Sequence, residues 1–256
     1  MTMLHGVHGA ASDTILIEFG RYMRKHYDSG DLERHPSLEQ IRRVLSTDPD
    51  LSGYAQTLYT SFAERFVGDA LVGNFDRHMG NWGYLVSRRD GSLRPSPMYD
   101  NGSTLCPALP DRSMAQMLED RHAIAQRTLL FPTAALTLRK GWPKVNYRDM
   151  LISGFDDAFS LAVCRVVPAI LEAMPRIEQF IGEQAFLSET RRRFYRVMLR
   201  ARTALILRPA YEACNAKAFD TAARERLEKG QAYTQARFER DYQAVAQSPA
   251  WDDILG

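Results

Sequence analysis

Cysteine is scarce in this 256-residue chain: Cys106, Cys164 and Cys214 are odd in number, far apart in sequence and form no C-x-x-C pair. That leaves no disulfide framework and no zinc knuckle, and it fits a reducing compartment. Lysine is scarcer for a chain of this length, with only Lys25, Lys140, Lys144, Lys217 and Lys229. An excess of one charge is missing too. The 33 basic and 31 acidic side chains leave a formal charge of +2, so neither nucleic acid nor an anionic membrane is favoured as a partner. No long uncharged apolar run occurs, and the start, MTMLHGVHGAASDTILIEFG, lacks the basic and apolar regions of a signal peptide, so a cytoplasmic location is expected. A Gly-Lys dipeptide, H-E-x-x-H and G-x-S-x-G are all absent, which removes the Walker A, zincin and α/β-hydrolase readings.

What is present reads as one ordinary globular domain, residues 1–256, 45% hydrophobic and 25% charged, without repeats or a Gly/Ser linker. Apolar residues at helical spacing dominate. Leu58, Phe62, Phe66 and Ala70 fall on one face, with Glu64, Arg65 and Asp69 elsewhere, and predict a buried helix over 50–73. The same reasoning predicts helices near 13–28, 37–46, 146–158, 160–182, 188–208 and 220–246, the fifth of the seven interrupted around Pro168 and Pro175. Between Trp82 and Asp100, WGYLV, a polar turn and PMYD predict two short strands joined as a hairpin. Residues 104–145 read as a long irregular connection, and such loops often touch substrate. The chain therefore divides into a helical N-terminal part (1–54), a core (55–103), the connection and a helical C-terminal part (146–256).

The chemistry is concentrated in GNFDRHMGNWGYLVSRRDGSLRPSPMYDNGS, residues 73–103. An aspartate and an asparagine five positions apart after a helix, then a hairpin and a second aspartate before a Gly-containing turn, is the layout of a phosphoryl-transfer site. A phosphoryl group in flight needs Mg²⁺ held by hard oxygens and a carboxylate that orients the attacking hydroxyl. In this reading Asp76 positions or deprotonates the acceptor, Asn81 offers its carbonyl oxygen to Mg²⁺, and Asp100 chelates Mg²⁺ bridging the nucleotide phosphates. Asn101-Gly102 supplies a φ-permissive turn. Arg77 and His78 either brace the loop or contact phosphate. Leu85 and Met98, one on each strand, are either a floor beneath adenine or plain sheet packing. The bland alternative throughout is that these Asp and Asn residues are caps and turns.

The pattern N-x-D-x-H-x-x-N (Asn74, Asp76, His78, Asn81) followed by Tyr99-Asp100 resembles the HipA-like serine/threonine kinases of bacterial toxin–antitoxin systems. Its DRHxxN portion is similar to the catalytic loop of phosphatidylinositol-3-kinase-like enzymes. With the helical tail FLSETRRRFYRVMLRARTALILRPAY, the resemblance covers roughly residues 55–212. It implies a mainly α, kinase C-lobe helical bundle with one short β-hairpin carrying the metal-binding aspartate. It also implies ATP and Mg²⁺ as cofactors, Asp76 and His78 as catalytic-loop residues, Asn81 and Asp100 as metal ligands, and Asn74, Leu85 and Met98 near the nucleotide. A protein Ser/Thr hydroxyl is the implied acceptor. The N-lobe such kinases carry, with its glycine-rich loop and strand lysine, is not recognisable. Lys25, the only lysine upstream of the loop, sits where a helix end favours a cation. Three arrangements follow: a truncated product, a split kinase whose N-lobe is a separate subunit, with an antitoxin as a further partner, or a relative with a reduced site.

The alternative of another class is a non-catalytic pseudokinase or interaction module that keeps the fold. A metal-dependent hydrolase built on Asp76, His78 and Asp100 would need further ligands. His5, His8, His26, His35 and His122 show no paired ligand spacing. The arginines at 191, 192, 193, 196, 200 and 202 read as a solvated or salt-bridged face, and Trp82, Tyr84 and Trp142 as core or hinge packing.

Overall fold

The computed structural model describes residues 13–31 and 35–256. His5 and His8 lie outside the described residues. An antiparallel three-stranded sheet, in the order β1 (Thr14–Glu18), β2 (Gly83–Ser87) and β3 (Leu93–Pro95), caps one side of a helical body. The helices are α1 (Phe19–His26), α2 (Leu38–Thr47), α3 (Ala55–Val72), α4 (Asp111–Leu118), α5 (Arg121–Leu129), α6 (Tyr147–Ile152) and α7 (Asp157–Gly182). They continue with α8 (Glu189–Arg202), α9 (Arg208–Ala216), α10 (Thr221–Glu228), α11 (Gln235–Val245) and α12 (Ala250–Leu255). A π-helical turn, Thr203–Leu207, joins α8 to α9.

The helix α3 is the axis of the body. Leu58, Phe62, Phe66 and Ala70 are buried as their spacing predicts, but Arg65 and Asp69 are buried as well. The expectation of an outward polar face fails because α3 is enclosed on several sides, by α7 and α8 and by the segments that follow the sheet. Its buried charges are therefore paired or hydrogen-bonded rather than hydrated. Arg65 donates to the Ser96 carbonyl at 2.8 Å, and Asp69 pairs with Arg77 at 2.8 Å.

Several other expectations are corrected. Residues 14–18 form a strand instead of the start of a helix, since TILIE pairs residue for residue with β2, Leu16 opposite Leu85 and Glu18 opposite Gly83. The second hairpin strand is Leu93–Pro95, upstream of PMYD, so Asp100 lies beyond the hairpin in the turn that follows it. Residues 104–145 carry α4 and α5, and α5 is N-capped by Asp120 accepting from the His122 amide at 2.9 Å. The helix α7 runs through both prolines without a break. It is long and apolar enough to cross a membrane by length and composition alone, yet Phe159, Ala162, Val163 and Val167 are packed into the core. The stretch 220–246 is two helices, parted at Gly230, whose φ is +62° and whose missing Cβ makes room for Trp142.

An aromatic cluster joins sheet to body: Phe19 stacks on Trp82 at 4.2 Å between ring centroids, and Phe62 meets Trp82 at 4.9 Å. Trp82 and Tyr84 are core residues, as expected. Gly83 sets how closely β1 approaches, for a Cβ there would lie 2.1 Å from the Ile17 carbonyl oxygen. Gly83→Ala is expected to cost about 2–3 kcal/mol in urea unfolding through forced displacement of β1. A loss below about 0.5 kcal/mol, the range of an ordinary surface change, would show that β1 is not seated on β2 in this way.

Candidate active site

The helix α3 ends at Gly73, which adopts φ +62° as its C-cap. The loop that follows is held by side chains from both sides. Asn74 is fully buried; its Nδ2 donates to Asp69 Oδ1 at 3.0 Å and its Oδ1 accepts from the Asp76 amide at 3.0 Å. The Tyr147 hydroxyl donates to the Asn74 carbonyl. Asn74, expected near nucleotide, thus has its polar groups engaged inside the protein and shapes the loop that presents Asp76. That carboxylate is partly exposed.

Arg77 is the centre of the arrangement, and all five of its N–H groups have acceptors. Nε and Nη2 grip Asp69, at 3.0 and 2.8 Å. Nη1 donates to the Asn81 carbonyl at 2.9 Å and to the Tyr99 carbonyl, and Nη2 reaches Asn101 Oδ1 at 2.6 Å. A single guanidinium therefore brings the backbone at Asn81 and the residues on both sides of Asp100 together. Asp100 has φ +51°, a conformation that aspartate tolerates better than most residues, and its side chain is exposed. Asn81 is buried, and its Nδ2 donates to the Asp76 carbonyl at 2.8 Å, which leaves Oδ1 as its free ligand atom. Asp76, Asn81 and Asp100 are thus gathered at one place.

His78 braces the loop: its Nδ1 accepts from the Gly80 amide at 3.1 Å, which assigns the ring proton to Nε2. The N-terminus of α1 is satisfied by this loop as well. Its first amides donate to Trp82 and Met79 carbonyls, Phe19 at 2.9 Å and Gly20 at 2.7 Å, in place of a capping side chain. This docking brings Glu18 to the site, a residue that no local pattern singles out, since its position depends on the β1–β2 register. A Cβ on Gly80 would lie 3.1 Å from the His78 ring and 3.7 Å from Glu18 Oε2. Burial, together with the Glu18 and Asp100 carboxylates, pushes the Tyr99 hydroxyl up to about 12.

Leu85 sits on the sheet face opposite Tyr84, directly across from Leu16, and both are half-buried. Met98 lies off the strands, with Sδ 3.4 Å from where a Cβ on Gly68 would be, so it packs along α3. Lys25 is held at the surface by Asp50 at 2.8 Å and Asp48 at 3.4 Å. On α8, Arg191 pairs with Asp111 at 2.8 Å, Arg193 with Glu119 at 3.7 Å and Arg200 with Glu178 at 2.5 Å, while Arg192 donates to the Gln184 carbonyl at 3.2 Å. Arg202 is the exception. It is buried under Gly73, its guanidinium occupying the space a Cβ would need, and it donates to the Arg127 carbonyl at 3.0 Å. Burial pulls its pKa down to about 10, so it remains a cation at neutral pH.

A cleft of about 630 Å³ lies at the other end of α3, lined by Arg42, Tyr59 and Asp156. The 18 residues of α3 separate the two by roughly 27 Å. Asp156 is fully engaged there, by Arg42, by the Tyr59 hydroxyl at 2.5 Å and by the Ala158 amide at 2.9 Å, in a helix-capping role.

The chain is related in sequence and in fold to a serine/threonine kinase. That relative is the serine/threonine-protein kinase CtkA of Helicobacter pylori, 33% identical over 150 residues, which are 59% of this chain and 45% of that protein. The chain thus spans about half the length of the curated relative it matches. The crystal structure of a Helicobacter pylori proinflammatory kinase, CtkA, superposes with a TM-score of 0.72 at 26% identity, covering 82% of this chain and 74% of that one. No family model matches.

Arg77→Ala strands Asp69 as a buried, unpaired carboxylate and is expected to destabilise the protein by about 3–5 kcal/mol in urea unfolding. The double variant Asp69→Asn, Arg77→Met is expected to recover part of that loss. A double-mutant cycle without coupling between the two sites would show that the ion pair does not hold the loop.

Proposed function

We propose that the chain is the catalytic-loop part of an ATP- and Mg²⁺-dependent protein kinase of the HipA-like toxin type, acting on a Ser/Thr hydroxyl. The observation that carries this reading is the Arg77 grip, which gathers Asp76, Asn81 and the Asp100 turn at one place. Asp76 orients the acceptor hydroxyl and takes its proton, while Asn81 Oδ1 and the Asp100 carboxylate hold Mg²⁺. The donor set fits that ion. Among the described residues no group of three or more His, Cys, Asp or Glu is placed to hold a metal. A two-ligand oxygen site suits Mg²⁺, which keeps waters and phosphate oxygens in its shell. When bound, Mg·ATP supplies the phosphoryl group and neutralises its charge in transfer. Leu16 and Leu85 offer an apolar floor for adenine, and His78, with its Nδ1 committed to Gly80, keeps the loop in shape. The glycine-rich loop and phosphate lysine come from outside the described residues, in this reading from a separate N-lobe subunit, and an antitoxin is the further partner the family resemblance implies.

Calorimetry of Mg·ATP binding tests the site. Magnesium-dependent binding is expected for the wild type and for Asp76→Asn, and is expected to be lost in Asp100→Ala. At about one hundred times the dissociation constant, nucleotide should stabilise the fold by about 2.7 kcal/mol. Phosphoryl transfer to a protein acceptor, with the N-lobe present, is expected to vanish in Asp76→Asn while binding persists. Binding unaffected by Asp100→Ala would refute the assigned metal site.

A further inference from the structure

The fold brings together two cysteines that stand far apart in the sequence. Cys214 on α9 donates its thiol to the Ser160 carbonyl on α7 at 3.2 Å. Ser160 precedes Cys164 by one helical turn, so the two share a stripe of α7. The Ser160 carbonyl also takes the helical hydrogen bond of the Cys164 amide, so the Cys214 sulfur lies against the turn of α7 that carries Cys164. Both cysteines are partly exposed, along a seam beside the exposed side chain of Leu161. Pro168 has no N–H to offer the Cys164 carbonyl, so the turn of α7 that carries this thiol lacks one helical hydrogen bond. Cys106 belongs to a different neighbourhood, in the segment after the Asp100 turn and close to Arg202.

We propose that Cys164 and Cys214 form a reversible thiol–disulfide site, oxidised by low-molecular-weight disulfides of the glutathione type. The Cys164 thiolate attacks one sulfur of glutathione disulfide, forming a mixed disulfide and releasing one glutathione thiolate. Cys214 then loses its proton and attacks the Cys164 sulfur, and the second glutathione leaves as a thiolate. Two protein thiols become one disulfide, glutathione disulfide becomes two glutathione thiols, and the two protein protons end on those thiols.

The order of the steps follows from the surroundings. Burial and the neighbouring Cys164 push the Cys214 thiol up to about 12, so Cys214 is a poor first attacker on an external disulfide. Once Cys164 carries glutathione, its sulfur is part of a disulfide held beside Cys214, and the second step proceeds within the protein. The bond would tie α7, which packs along α3, to α9, which continues through the π-helical turn to Arg202 beneath the catalytic loop.

The test uses the full chain, reduced and then equilibrated over a series of reduced-to-oxidised glutathione ratios, quenched with iodoacetamide and mapped by mass spectrometry. The expected product is lighter by two hydrogens before alkylation, links the peptides of Cys164 and Cys214, and leaves Cys106 alkylated throughout. Its unfolding midpoint should rise and return to the reduced value with dithiothreitol. Cys214→Ser is expected to stop at a mixed disulfide on Cys164, and Cys106→Ser to behave as wild type. Three alkylated cysteines at every ratio, a bond that includes Cys106, or mixed disulfides alone in the wild type would overturn the proposal.

Discussion

The candidate site depends on one buried ion pair. Asp69 belongs to α3, the axis of the body, and Arg77 belongs to the loop that follows it. Burial pushes the Asp69 carboxyl up, while Arg77 and Asn74 pull it back, so the carboxylate is held by hydrogen bonds in place of water. In return Asp69 fixes the guanidinium plane, and the remaining N–H groups place the Asn81 backbone and the Tyr99–Asn101 turn. Lysine could not do this, since its ammonium lacks the planar fork that makes five directed contacts. The pair converts the position of a core helix into the position of a loop and a turn.

Cations recur along the same helix for a related reason. Arg65 faces the hairpin from the middle of α3 and donates to a carbonyl, and burial pulls its pKa down. Arg202 approaches the C-terminal end of α3, where the Ala70 carbonyl lies 3.5 Å from its Nη1. The negative end of a helix dipole favours a cation there, which compensates part of the desolvation of a guanidinium that no carboxylate accompanies. Gly73 is needed at that point twice over, for its left-handed backbone and for the space Arg202 fills.

Much of the fold was legible because long helices write their period into the sequence. The helices α2 and α3 and the stretch from α8 to α9 stand where apolar spacing put them, and the β-hairpin stands near its turn signal. TILIE was misread because a short apolar run flanked by helix-like sequence carries no decisive period, and only pairing with β2 makes it a strand. The helices α4 and α5 are 8 and 9 residues long, too short to show a strong stripe, although Asp120 ahead of α5 is a cap signal that was there to be read. Within the site, the spacing of Asp76, Asn81 and Asp100 pointed to residues that the fold does gather. The central role of Arg77 and the approach of Glu18 were not readable, because each depends on contacts between segments whose mutual placement no local pattern encodes.

The π-helical turn between α8 and α9 has a consequence for how this sequence can vary in length. Such a turn holds one residue more than a regular α-helical path would, and each residue of a helix turns the chain by about 100°. Removing a single residue from Thr203–Leu207 would close the turn into regular helix while α9 keeps its phase relative to α8, with Ala210 still in the core. A residue removed from the regular part of α8 has no such slack and would turn everything after it by about 100°. Related chains should therefore tolerate a one-residue gap within Thr203–Leu207 far more readily than one in the regular turns of α8.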